Sequence, residues 1–196
     1  ASDLAGDWMI ADFDDSGWDV GLAPFWYGDG AGGTVLSDMQ GNYTTLYLRG
    51  DFSAENVQEL KELLFYIDYD DGFVLWVNGE EVLRQNAPSV LNYNALAPVN
   101  HESGVPETFF IDSSSVNLFE GTNSLAVQLF NMSLSSTDIH FKISIKATPA
   151  LPELDSLISP LSFSQNAGFY ESPFELTIST PDSGMQIIYT LDCSDP

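Results

Sequence analysis

The chain has a single cysteine, Cys193, so it has no internal disulfide; this argues against a small stapled eukaryotic secreted module but not against a bacterial extracellular one. Basic residues are nearly as scarce, five Lys and Arg against 29 Asp and Glu, for a formal charge of −24. Such a surface repels phosphate backbones and anionic lipid, and no Lys/Arg cluster offsets it locally, which argues against nucleic acid and acidic membranes as partners. Neutral glycans, cations and basic proteins remain. No run approaches the roughly 18 apolar residues of a helical membrane span. Two distant histidines, His101 and His140, and one lone thiol are a poor basis for a zinc centre.

Catalytic signatures are also missing. The sequence contains no Gly-x-Ser-x-Gly elbow, no phosphate loop and no Gly-x-Gly-x-x-Gly. So many acids guarantee accidental carboxylate pairs, and no motif selects one, so the chain reads as non-catalytic. Ala1 opens directly in acidic, Gly-bearing sequence without a charged and then apolar leader, the start expected of a mature or trimmed chain.

What is present is a β pattern. Hydrophobic residues make up 44% of the chain and aromatics 13%, enough for a packed core despite the charge. Strand-type runs fall at 44–52, 63–69, 73–77, 81–85, 107–111, 124–130 and 139–146, separated by clusters of Gly, Pro, Asn, Asp and Ser. The run Phe73 to Val77 is apolar on both faces and predicts an interior strand, flanked by Asp71-Gly72 and Asn78-Gly79, both strong hairpin signals. Asp70-Asp71-Gly72 therefore reads as a turn that opens a strand, in preference to a ligand site. One short helical segment is predicted near Ala54 to Lys61, capped by Ser53. Residues 149–157, with Pro149 and Pro152, read as a linker, and 158–196 as the first strands of a further β domain, including a turn at Pro181 to Gly184 and a strand from Gln186 to Leu191.

Specific elements carry a resemblance. Phe13-Asp14-Asp15-Ser16-Gly17-Trp18, Ala23-Pro24-Phe25-Trp26-Tyr27-Gly28-Asp29-Gly30, Tyr69 to Gly72, Val77-Asn78-Gly79 and Gly121-Thr122-Asn123 follow one another in residues 1–148. In that order they resemble a galactose-binding-domain-like jelly roll of large bacterial surface and secreted proteins. Residues 158–196, with Gly168-Phe169-Tyr170, Ser172-Pro173-Phe174 and Ile188-Tyr189-Thr190-Leu191-Asp192, resemble the opening half of a chitobiase C-terminal-type, immunoglobulin-like domain, with Cys193 where that pattern usually has Gly. The resemblance implies an all-β, jelly-roll β-sandwich that serves as an extracellular or cell-surface accessory module. Downstream domains of the same polypeptide, of the CotH-type kinase-like, metallophosphoesterase or glycoside hydrolase kind, are the implied partners.

A carbohydrate-binding module needs aromatic faces and planar polar groups on its loops. Trp26 and Tyr27 in a Gly-rich loop are the candidate platforms. Asn92, Tyr93 and His101, on an irregular segment longer than 20 residues, and Asn131 and Asp138, after the 124–130 strand, are the candidate polar contacts to a glycan or cell-surface polysaccharide. Trp8, Trp18 and Trp76 read as core. Calcium, which the resemblance also implies, requires about six to eight oxygen ligands. Asp12, Asp14 and Asp15 are its candidates, against the alternative that Asp14-Asp15-Ser16 forms a self-capping turn. The rival to glycan binding is a structural spacer or docking domain, which needs no exposed aromatic in a concave site.

Overall fold

The computed structural model describes Leu4, residues 6–150, 161–166 and 168–181, Ile187 and Thr190, and divides into two compact units, Ala1–Ala150 and Leu151–Pro196. The first unit holds nine strands: β1 (Phe25–Tyr27), β2 (Thr34–Val35), β3 (Thr45–Ala54), β4 (Leu60–Asp70), β5 (Gly72–Val77), β6 (Glu80–Gln85), β7 (Glu107–Asp112), β8 (Gly121–Phe130) and β9 (Ile139–Pro149). They form two sheets, ordered β2-β1-β9-β4-β7 and β3-β8-β5-β6, in which every pairing except β1 with β2 is antiparallel. From β3 to β5 and again from β6 to β9 the chain passes from one sheet to the other at each step, giving an all-β sandwich.

Alternation along the strands explains the core. Leu63, Phe65, Ile67 and Tyr69 of β4 point inward at every second residue and meet Phe73, Leu75 and Val77 of β5, Val127 and Leu129 of β8, and Phe141 of β9. The opposite face of β5 is apolar for a separate reason. Val74, Trp76, Ala126 and Phe130 form a second cluster, roofed by Trp8 from the N-terminal arm and by Ala95 and Ala97 from the long loop before β7. Trp8 stacks on Trp18 at 6.4 Å and meets Trp76 edge-on at 5.4 Å. The three core tryptophans thus cover the outside of a sheet and do not fill the sandwich.

Two turn expectations diverge. Asn78 and Gly79, at φ 50° and 87°, make the tight β5–β6 hairpin that their types favour. Asp70 to Gly72 is not a hairpin, because β4 and β5 belong to different sheets and the chain crosses between layers there. Gly72 serves close approach: a Cβ on it would lie 2.1 Å from the Asn86 carbonyl oxygen. The helical segment near 54–61 reduces to one 3-10 turn, Val57–Glu59, entered through Asn56 at φ 53°, while Ser53 stays in β3 and caps nothing. Strand β9 continues through Pro149, where the linker was expected to begin.

In the second unit Ser162–Phe163 pairs antiparallel with Ile178–Ser179. Tyr170 and Phe174 pack at 4.4 Å yet remain exposed, as does Phe163. The expected linker residues 151–157, the turn at 181–184 beyond its first residue, most of the 186–191 strand and Cys193 lie outside the described residues. Among the described residues, no helix is long and apolar enough to cross a membrane.

Candidate functional site

Strand register dictates where the loops gather. Thr45, at the start of β3, pairs with Phe130, at the end of β8, and Phe130 also pairs with Gly72, at the start of β5. In the other sheet Asp70 pairs with His140 and Tyr27 with Ile139, so β4 and β1 end where β9 begins. Segments 28–44, 86–106 and 131–138 therefore emerge with the Asp70–Gly72 crossing at one end of the sandwich.

Asp71 ties these loops together. Its carboxylate is 1% exposed and accepts hydrogen bonds from the backbone N–H of His101 at 2.9 Å and of Met132 at 2.6 Å. Its carbonyl accepts from the Asn86 side chain, whose amide nitrogen also donates to the Val99 carbonyl. His101 lies flat against Tyr69, with ring centroids 4.0 Å apart, its Nδ1 within 3.0 Å of the Tyr69 carbonyl and its Nε2 within 2.8 Å of Glu107. Both imidazole nitrogens are engaged, so His101 braces the loop and is not free to contact a ligand.

Beside Asp71, one ligand oxygen from each of Asp70, Glu102 and Asp138 lies within 4.8 Å of the other two. Asp70 is 3% exposed, and no described donor reaches its carboxylate. Burial, then the charges of Asp71, Asp138 and Glu102, push its carboxyl up to about 8. Asp138 is raised too, again chiefly by burial. Glu102 is steadied by the Asn100 amide at 2.7 Å, and Asp138 by the Thr137 hydroxyl at 3.3 Å.

A cavity of about 340 Å³ opens at the same end, lined by Asn42, Tyr43, Thr44, Tyr93, Asn94, Leu96 and Leu134. Two aromatic rings, two exposed leucines and two primary amides share this groove. Tyr43 is held by its hydroxyl, which donates to Asp38, and Tyr93 by its carbonyl, which accepts from the buried Thr45 hydroxyl. Burial, then the bond to Asp38, raises the Tyr43 phenol, so that ring is neutral and positioned by the fold. A larger cavity, about 520 Å³, runs along the β3 edge past Trp18, Phe25 and Tyr47 and shares Tyr43 as a wall.

The candidates from sequence separate accordingly. Tyr93 faces the groove. Asn92 sits behind it, its side chain capping Asn94 N–H and its carbonyl accepting from Gln128. Tyr27 is 5% exposed and Asn131 1%; the Asn131 amide donates to the Tyr27 hydroxyl at 2.8 Å and to the Asp138 carbonyl at 3.0 Å, so both are internal struts and neither reaches a ligand. Trp26 anchors its loop: its indole N–H donates to the Gly32 carbonyl and Gly30 packs so tightly on the ring that a Cβ would clash at 2.4 Å. A stacking role for Trp26 is not supported. The acids at 12–15 do not converge either. Asp14 is bonded by the Ser16 side chain and accepts from the Ser16 N–H, which together lower its carboxyl, and Asp15 pairs with Arg49 at 2.7 Å. Among the described residues the clustered acids are Asp70, Glu102 and Asp138.

Neither a family model nor a curated protein matches the chain. Among solved structures it is similar to a beta-glucuronidase from an uncultured Clostridium sp., at 14% identity over 63% of this chain and 22% of that one, with a TM-score of 0.35. It is also similar to a beta-glycosidase from Bacteroides vulgatus, at 14% identity over 72% of this chain and 18% of that one, with a TM-score of 0.37. The chain thus spans about a fifth of the length of each.

Proposed function

We propose that the β-sandwich is a non-catalytic carbohydrate-binding module of a larger extracellular bacterial protein, and that a neutral glycan seats in the groove between Tyr43 and Tyr93. The observation that carries this reading is the composition of that groove. A pyranose presents an apolar face, which tyrosine rings and the exposed Leu96 and Leu134 complement, and a rim of hydroxyls, which the Asn94 amide complements together with the Asn42 side-chain oxygen, the Asn42 amide nitrogen being engaged with the Asp38 and Gln40 carbonyls. Both rings belong to segments fixed by hydrogen bonds to the fold, so little ordering cost falls on binding. The net charge of −24 favours neutral over acidic sugars. A spacer domain has no use for paired aromatics in a concave site.

The test is a screen of wild type and Tyr93→Ala against an array of neutral glycans. Binding of wild type to a defined glycan family, weakened about tenfold or more in the variant, is the expected result; a tenfold loss corresponds to about 1.4 kcal/mol, within reach of one stacked ring. Silence of the wild type across the array favours the spacer.

A further inference from the structure

We propose that Asp70, Glu102 and Asp138 form a binding site for a divalent cation of the oxygen-preferring class, calcium. The inference is independent of the glycan reading. The three carboxylates come from the sheet crossing, the long loop before β7 and the β8–β9 loop, segments that the strand register gathers at one end. The segments that carry them are tied together: Asp71, adjacent to Asp70, accepts from His101 and Met132 N–H, the Asn100 amide donates to the Glu102 carboxylate, and Asn131 donates to the Asp138 backbone carbonyl.

The decisive residue is Asp70. A carboxylate 3% exposed ordinarily receives hydrogen bonds or a counter-charge, because burying it bare is costly. Here no described donor approaches it, and the charges around it are those of other acids. The ion pairs that Arg49 and Arg84 make are with Asp15 and Glu81. A cation among the three carboxylates supplies what Asp70 lacks.

Donor type and spacing select the metal. All three donors are carboxylate oxygens, and the nearby imidazole of His101 is engaged at both nitrogens, which favours a hard cation over zinc or copper. With calcium–oxygen bonds of about 2.3–2.6 Å, two oxygens on opposite sides of the ion lie about 4.6–5.2 Å apart. The observed spread, within 4.8 Å, is of the size that three oxygens around one calcium ion span, and the exposed Glu102 leaves room for water ligands.

The test uses the full chain, stripped with chelator and titrated calorimetrically with calcium chloride at roughly physiological ionic strength, where diffuse attraction to exposed acids is screened. Saturable binding of one calcium per chain, with a rise of several degrees in the tryptophan-monitored thermal midpoint, is expected. Asp138→Asn and Glu102→Gln, both outside the apolar core, weaken it at least tenfold, whereas Asp14→Asn leaves it unchanged. Absence of saturable 1:1 binding by wild type overturns the proposal. So does binding that survives both loop substitutions, or that Asp14→Asn reduces equally.

Discussion

Replacing Asp71 by Ala removes a side chain that joins the crossing, the long loop and the β8–β9 loop. The two bonds lost, at 2.9 Å and 2.6 Å, are charge-assisted, each of a kind that contributes about 1.5–3 kcal/mol. Two effects reduce the sum. Met132 is 38% exposed, so its freed N–H is solvated in part, and Asp70 is relieved of a neighbouring negative charge. The net destabilisation is about 3 kcal/mol, a fall of roughly 6–12 °C in melting temperature for a unit of this size. All four tryptophans lie before residue 100, so urea unfolding followed by tryptophan emission reports the sandwich alone and not the second unit. Asp71→Asn, which keeps one acceptor, loses about half as much. A loss below about 1 kcal/mol in Asp71→Ala refutes the assignment of Asp71 as the tie between these loops.

Asp70 makes stability depend on pH in calcium-free buffer. Its folded pKa lies above that of the unfolded chain, so stability is fully present below about pH 4 and is lost as pH rises toward about 8. The opposing groups are Asp71, Asp138 and Glu102, all acidic; urea midpoints therefore fall across this window in wild type, and the fall is shallower in Asp70→Asn. Gly72→Ala drives a methyl against the Asn86 carbonyl, from 2.1 Å, and destabilises the sandwich by about 3 kcal/mol or more; a change within about 0.5 kcal/mol shows that the crossing adjusts freely.

The strands were legible because period-two alternation is imposed by burial on one face, and β4 and β7 follow it closely. The doubly apolar β5 was legible as interior, but the cover on its outer face was not. Trp8 and Trp18 sit far from Trp76 in sequence, and no local pattern states that an arm folds back over a sheet. Asp70-Asp71-Gly72 was legible as a turn that opens a strand, but its hairpin-type residues serve a crossing between layers, and only pairing partners distinguish the two. Of the site, Tyr93 and His101 were marked by residue type on a long loop and Asp138 by its place after the 124–130 strand, signals blind to which side chains turn inward. Tyr27 and Asn131 carried the right chemistry and were consumed by each other. Asp70 and Glu102 escaped notice as partners because register, not spacing, unites them; an acidic pair closing a strongly apolar strand was the available hint.

Titration of the intact chain with the glycan retained from the array, comparing wild type, Tyr93→Ala and Trp26→Ala, tests the central claim most directly. The account predicts at least a tenfold loss of affinity for Tyr93→Ala and less than a twofold change for a folded Trp26→Ala protein, because Tyr93 lines the groove whereas Trp26 lies outside it, bound to its own loop. Undiminished affinity in Tyr93→Ala, or loss confined to Trp26→Ala, contradicts it.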